Sequence, residues 1–248
     1  MTMNKLRDLA LVVLLAYFIP LASSMSADAA VGAFQGLDPD GVFAWNFLHH
    51  ITQALLAGIV ILALSASWKR PASEWGLSFN KKEWSLDVFW KFSIGCAVYS
   101  LIVAWLTVSP SGVPSAISHE MTARNVTGNL LFMFTMPGIS EELLFRALFV
   151  TVLSRSWREK IRIAGLDVSS AGFIAAIVFS LAHIGFTVVP FKITHLDPMQ
   201  LGIASAFGIF YAVMYDHTKS LLGPILVHNA SDGLLAAISY IVRVIKLA

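Results

Sequence analysis

The chain holds 248 residues, with 17 Lys and Arg against 15 Asp and Glu, 57% hydrophobic residues and only 13% charged ones, and its mean hydropathy is +0.73. Soluble domains carry about 25% charged residues, so the composition excludes a water-soluble globular domain and fits a polytopic integral membrane protein. High hydrophobicity, a net charge of +2 and ordinary numbers of Gly and Pro (16 and 9) also exclude a disordered chain, a collagen-like repeat and a nucleic-acid-binding domain. A single cysteine, Cys96, lies in an apolar run, so neither an intrachain disulfide nor a Cys-rich metal site is available.

Apolar stretches long enough to cross a bilayer core of about 30 Å recur near Leu6–Ala22, Phe47–Ser67, Val88–Val108, Val126–Leu153, Val168–Pro190, Met199–Tyr215 and Ser220–Val242. This predicts an all-α membrane helix bundle with about seven to eight spans. The first stretch, over 6–22, follows Lys5 and Arg7 and precedes Ala27-Asp28-Ala29, which suits an anchor or a cleavable signal peptide; the anchor is the preferred reading. With the N-terminus inside, the cytoplasmic segments hold Lys69, Arg70, Lys81, Lys82, Lys91, Arg155, Arg158, Lys160, Arg162 and Lys219, the bias that sets orientation. Arg243 and Lys246 break it, which points to an overlooked span or a broken last helix. Between Pro71 and Asp87, Trp75, Phe79, Trp84 and Leu86 alternate with charged residues, a pattern expected to lie in the cytoplasmic interface. One domain over 1–248 is expected, motif-free over 1–125 and with its chemistry over 126–242.

Ionisable residues inside membrane spans are costly and are functional candidates by default. In the fourth span, M-P-G-I-S-E-E-L-L-F-R places Glu141, Glu142 and Arg146 after Pro137-Gly138, where the helix should break or kink. Glu142 and Arg146, at i and i+4, can neutralise each other, while Glu141 lies about 100° around the helix and is free to face something else. The fifth span aligns Phe179 and His183 at the same spacing, and the seventh aligns His228 and Asp232 after Gly223-Pro224. Each residue has a bland reading: an ion pair for Glu142 and Arg146, packing histidines, and an Asp232 that only orients His228. Their convergence in successive spans argues for a site. His49 and His50 are expected at the outer interface, and His119, His195 and His217 in loops; none is assigned chemistry.

The ordered set Glu141-Glu142-Leu143-Leu144-Phe145-Arg146, Phe179-Ser180-Leu181-Ala182-His183 and His228-Asn229-Ala230-Ser231-Asp232 resembles the motifs of the CPBP family of intramembrane proteases, which includes the type II CAAX prenyl endopeptidases and bacteriocin-processing enzymes. The resemblance implies an intramembrane endopeptidase; no cofactor motif occurs, so if Zn²⁺ is absent the chemistry needs only water. Carried over, Glu141 would be the general base, His183 its partner on the water, and His228 with Asp232 the groups at the scissile carbonyl; Glu142, Arg146, Asn229 and Phe179 would support them. Asp232 stands where Asn is common, and a carboxylate cannot donate to an oxyanion unless protonated, so Asp232 is expected to orient His228, with His228 or Asn229 as donor. Ala147 stands where many relatives carry Gly, which bears on packing. The implied partners are a membrane-anchored protein or peptide and the lipid bilayer, with no nucleic acid, and the implied location is the bacterial inner membrane. The substrate need not be prenylated, because the family also processes bacteriocins and sorting tails.

Two other chemistries compete. Glu141, His183 and His228 could ligate Zn²⁺ as a metalloprotease, although H-E-x-x-H is absent, and the same three could form a relay in a proton-coupled transporter, although the two halves show no duplication. A serine protease built on Ser140 lacks the flanking glycine of G-x-S-G, and a non-catalytic scaffold gives no reason to keep the cluster.

Overall fold

The computed structural model describes residues 2–108, 119–163, 165–188 and 190–247. The chain opens with α1, Met3–Ala30, which starts on a Thr2 side chain that accepts the Lys5 amide and runs on through Pro20 into a 3₁₀ turn, Val31–Phe34. Asp38 then starts α2, Ala44–Trp68, by accepting the amides of Val42, Phe43 and Ala44 at 2.9, 2.8 and 2.7 Å, which satisfies donors that a helix start leaves open. A left-handed Lys69 ends α2. After it come a short 3₁₀ turn, Ala72–Trp75, and α3, Lys82–Thr107.

The fourth rod is continuous. Helix α4, Ala123–Glu142, passes into a π-helical stretch, Leu143–Val150, and ends in α5, Thr151–Leu153. Pro137 does not break it: the turn stays helical, and the irregularity falls six residues later, in the π stretch, a common signature of functional helices. Every residue from Leu144 to Leu153 is buried, and this stretch is the centre of the main core, with Val12 and Ile19 of α1, Ala57 and Ile61 of α2, Trp75, and Ala171, Ala175 and Phe179 packed around it.

Beyond the fourth rod, an antiparallel hairpin of β1, Lys160–Ile163, and β2, Leu166–Ser169, leads into α6, Ser170–Leu181. This helix is only 12 residues long, so the expected span to Pro190 is cut short. His183 lies just past its end, and a second hairpin, β3 (Gly185–Thr187) with β4 (Lys192–His195), follows. The run Gly185-Phe186-Thr187-Val188 and Phe191-Lys192-Ile193-Thr194 is rich in aromatic and β-branched residues around Pro190, a composition that favours strands. Helix α7, Pro198–Thr218, opens on an Asp197 side chain that accepts from Met199 and Gln200, and α8, Leu222–Leu247, is unbroken to its end, so the basic tail does not mark a broken helix.

Five described helices are long and apolar enough to cross a membrane: α1 with its 3₁₀ extension, α2, α3, α7 and α8. Exposed Leu14, Leu62, Ile94 and Leu106 clothe the outside of the first three, which is the surface that lipid requires. The molecule is a helical membrane bundle with two small hairpins added. The interfacial expectation for 71–87 holds for Phe79, which is 76% exposed, and fails for Trp75, which is fully buried and stacks on Trp68 at 5.8 Å.

Candidate active site

The fourth rod, the end of α6 and the first half of α8 bring the three sequence motifs together. Glu142 and Arg146, one helical turn apart, are both fully buried, with Arg146 Nε 3.1 Å from Glu142 Oε2. Arg146 also donates from Nη2 to the Gly208 carbonyl at 3.0 Å, and its guanidinium lies over the rings of Phe179 (4.8 Å) and Tyr211 (5.4 Å). One side chain thus ties the rod to α6 and α7. Gly208 allows the approach, because a Cβ there would come 3.0 Å from the Phe179 ring and 3.2 Å from the Ala176 carbonyl.

Glu142 is not engaged by Arg146 alone. His228 of α8 donates from Nδ1 to Glu142 Oε1 at 2.8 Å, so the carboxylate bridges arginine and histidine, and the bond fixes the direction of the imidazole. The ring stacks on Tyr211 (5.0 Å, 20°) and meets Phe179 edge-on (5.9 Å). Its Nε2 therefore faces the other two carboxylates, 3.9 Å from Glu141 Oε2 and 3.5 Å from Asp232 Oδ2. Glu141 is 20% exposed and Asp232 34%, whereas Glu142 is sealed. Adjacent glutamates on one helix thus have opposite environments: Glu142 is sealed in the interior and Glu141 keeps partial exposure.

Asp232 holds its place through Ser231, whose hydroxyl donates to the His228 carbonyl at 2.7 Å, lies 3.3 Å from Asp232 Oδ1 and pairs with the Tyr211 hydroxyl at 3.1 Å. The closest carboxylate contact to His228 is made by Glu142, not by Asp232. Asn229 faces α4 instead: its Oδ1 accepts the Gly138 amide at 2.7 Å and its Nδ2 donates to the Thr135 carbonyl at 3.1 Å. Both ends of the amide are thus engaged by the turn that contains Pro137, which holds that turn from α8. Gly138 is needed there, because a Cβ would fall 2.7 Å from Asn229 Oδ1 and from the Ile225 carbonyl.

His183 donates from Nδ1 to the Phe179 carbonyl at 2.9 Å and packs edge-on to the Phe179 ring. That bond leaves Nε2 as the unprotonated nitrogen of the neutral ring. The residue is half-buried and within electrostatic reach of Glu141 and Asp232. The motif residues Glu141, His183, His228 and Asp232 therefore come together in one cluster of the bundle.

One neighbour was given no chemistry by the sequence. His50 of α2 is not confined to an interface: its Nδ1 lies 2.5 Å from the hydroxyl of Ser140, the residue before Glu141. Only the folded pairing of α2 with α4, 90 positions apart, reveals it. His49 stays at the periphery, stacked on Trp45 and 3.2 Å from the Ser24 hydroxyl.

Comparison with known proteins addresses the same region. The family model described as type II CAAX prenyl endopeptidase Rce1-like matches residues 123–234, which contain α4 through the first half of α8 and all three motifs. The CAAX prenyl protease 2 of Arabidopsis thaliana is 23% identical over 142 residues, covering 54% of this chain and 40% of the relative's length. No solved structure matches the chain. Over residues 123–234, the chain is therefore similar to the Rce1-like type II CAAX prenyl endopeptidases.

Proposed function

We propose that the protein is an intramembrane endopeptidase that hydrolyses a peptide bond near the membrane-associated end of its substrate, using water activated by Glu141. The observation that carries this reading is the placement of a partly exposed Glu141 carboxylate 3.9 Å from His228 Nε2, with His183 beside them, in a helical membrane bundle. Water between Glu141 and the unprotonated Nε2 of His183 would give up a proton to Glu141 as its oxygen bonds to the scissile carbonyl carbon. His228, held through Nδ1 by Glu142, would act as the imidazolium and donate from Nε2 to the carbonyl oxygen as negative charge develops there. Collapse of the tetrahedral intermediate breaks the C–N bond, and the proton held by Glu141 passes to the leaving nitrogen. Asn229, with both amide ends bonded to α4, suits a supporting role rather than that of oxyanion donor.

The reading takes no metal. Turnover that survives prolonged chelation, with less than one zinc per chain in purified protein, is the expected outcome; loss on chelation and recovery with zinc would replace the water mechanism with a metal-dependent one.

For the substrate, the family points first to C-terminal CAAX sequences carrying a prenyl group, and a farnesylated CAAX reporter peptide is the first probe. The decisive experiment compares, by mass spectrometry, the termini of membrane proteins from cells carrying the wild-type chain or Glu141→Gln at equal levels. Unprocessed precursors should accumulate with the variant. Unchanged termini, together with no cleavage of the reporter by purified wild-type protein, would overturn the assignment.

A further inference from the structure

We propose that His50, in the part of the chain that lies outside the family match, is a positioning residue for Glu141, acting through Ser140. The proposal rests on the endopeptidase reading for its consequence in catalysis and on geometry for the contact itself. Pro137 has no amide hydrogen, so the turn of α4 just before Glu141 lacks one rung of the helical ladder. That turn is gripped on its α8 side by Asn229, which bonds the Gly138 amide and the Thr135 carbonyl. On its α2 side the grip is a short chain: the Ser140 hydroxyl donates to the Pro137 carbonyl at 3.3 Å, which leaves its oxygen to accept from His50 Nδ1 at 2.5 Å.

Ser140 is 1% exposed, so water cannot replace the imidazole without reorganisation. The ring itself is fixed by an edge-on contact with Phe132 of α4 (5.0 Å) and by His49 (5.2 Å). Helix α2 thereby reaches across to the residue next to the proposed base, and the two sides of the clamp set where the Glu141 carboxylate stands relative to His228. His50 also stands within electrostatic reach of His228, but its hydrogen bond goes to Ser140, and its effect passes through that residue and the backbone.

The test uses the purified full-length protein with the farnesylated CAAX reporter. His50→Phe removes the donor while keeping a flat ring, Ser140→Ala removes its acceptor, and His50→Asn restores a donor close to the Nδ1 position. The first two should each lower kcat at least about tenfold, the scale that small displacements of catalytic groups produce, with KM changed less than about twofold. The double variant should be no slower than either single one, because both break the same link, and His50→Asn should recover most of the rate. Unchanged kcat in His50→Phe, multiplying losses in the double variant, or His50→Asn as slow as His50→Phe would each overturn the proposal. A parallel measurement does not depend on activity: in ¹⁵N-histidine-labelled protein, Ser140→Ala should move the His50 Nδ1 resonance and leave that of His183 in place. If wild-type protein cleaves no reporter, the membrane-protein termini are unchanged in Glu141→Gln cells and the His50 resonance still moves, the endopeptidase reading fails while the contact stands; if the resonance does not move, the clamp is refuted.

Discussion

Arg146 has the largest structural task of any single residue near the site. It is fully buried, yet its positive charge is balanced by Glu142 at 3.1 Å, one of its nitrogens bonds the Gly208 carbonyl, and two aromatic rings cover its face. Removing one member of a buried ion pair strands the other in a low-dielectric interior, at a cost of about 3–5 kcal/mol. Arg146→Ala should therefore lower the unfolding midpoint of the purified protein sharply and reduce its yield. Glu141→Gln, at a partly exposed position and leaving buried His228 its Glu142 and Asp232 partners, should leave the midpoint within about a degree while stopping turnover. An Arg146→Ala protein as stable as wild type would refute the bridging role of the pair. The sequence displays the i, i+4 relation of Glu142 and Arg146 directly, because helical spacing is local. That Glu142 also holds His228, 86 positions away, is a property of how α8 packs on α4, and no local pattern encodes it.

At the scale of elements, helix starts are where side-chain chemistry has most leverage, and Asp38 is the clearest case. Burial pushes its carboxyl upward, but the amides of Ala44, Val42 and Phe43, joined by the charge of His119, outweigh that and hold it below the usual carboxylate range. A group whose folded pKa is depressed stabilises the folded state above its unfolded pKa, about 3.9, and loses that contribution as pH falls through the lower folded value. Stability measured in detergent should thus drop below about pH 4 in wild-type protein, and Asp38→Asn should be weaker at neutral pH by about 2 kcal/mol with a shallower acid slope. Equal slopes would show that the α2 cap does not titrate in this way. Apolar periodicity alone locates most of the rods, since hydropathy over about 20 residues is what a bilayer demands. It misjudges α6, because Phe186, Val188 and Ile193 are as apolar as helix residues but prefer strands, and it misjudges Pro137, because Asn229 of α8 grips the turn from outside the helix.

Across the whole molecule, the motif-bearing rods do not stand apart from the preceding helices. The π-helical stretch at their centre is packed by Val12, Ile19, Ala57, Ile61 and Trp75, all from the part of the chain without motifs. Trp75 makes the point best. Its flanking charges, with Glu74 beside it, suggest a residue lying on the membrane surface, whereas it is the largest fully buried side chain and stacks on Trp68. A folded core shared by both parts should unfold as one unit, so far-UV circular dichroism and tryptophan fluorescence are expected to report a single coincident transition on heating. Trp75→Ala removes a large apolar group with little room for collapse against the rigid π stretch, and should cost about 3–5 kcal/mol. Because the lost contacts belong to both parts, the variant should still show one transition, displaced to lower temperature. Two separated transitions, in either protein, would mean that residues 1–125 form a body that melts independently of the site.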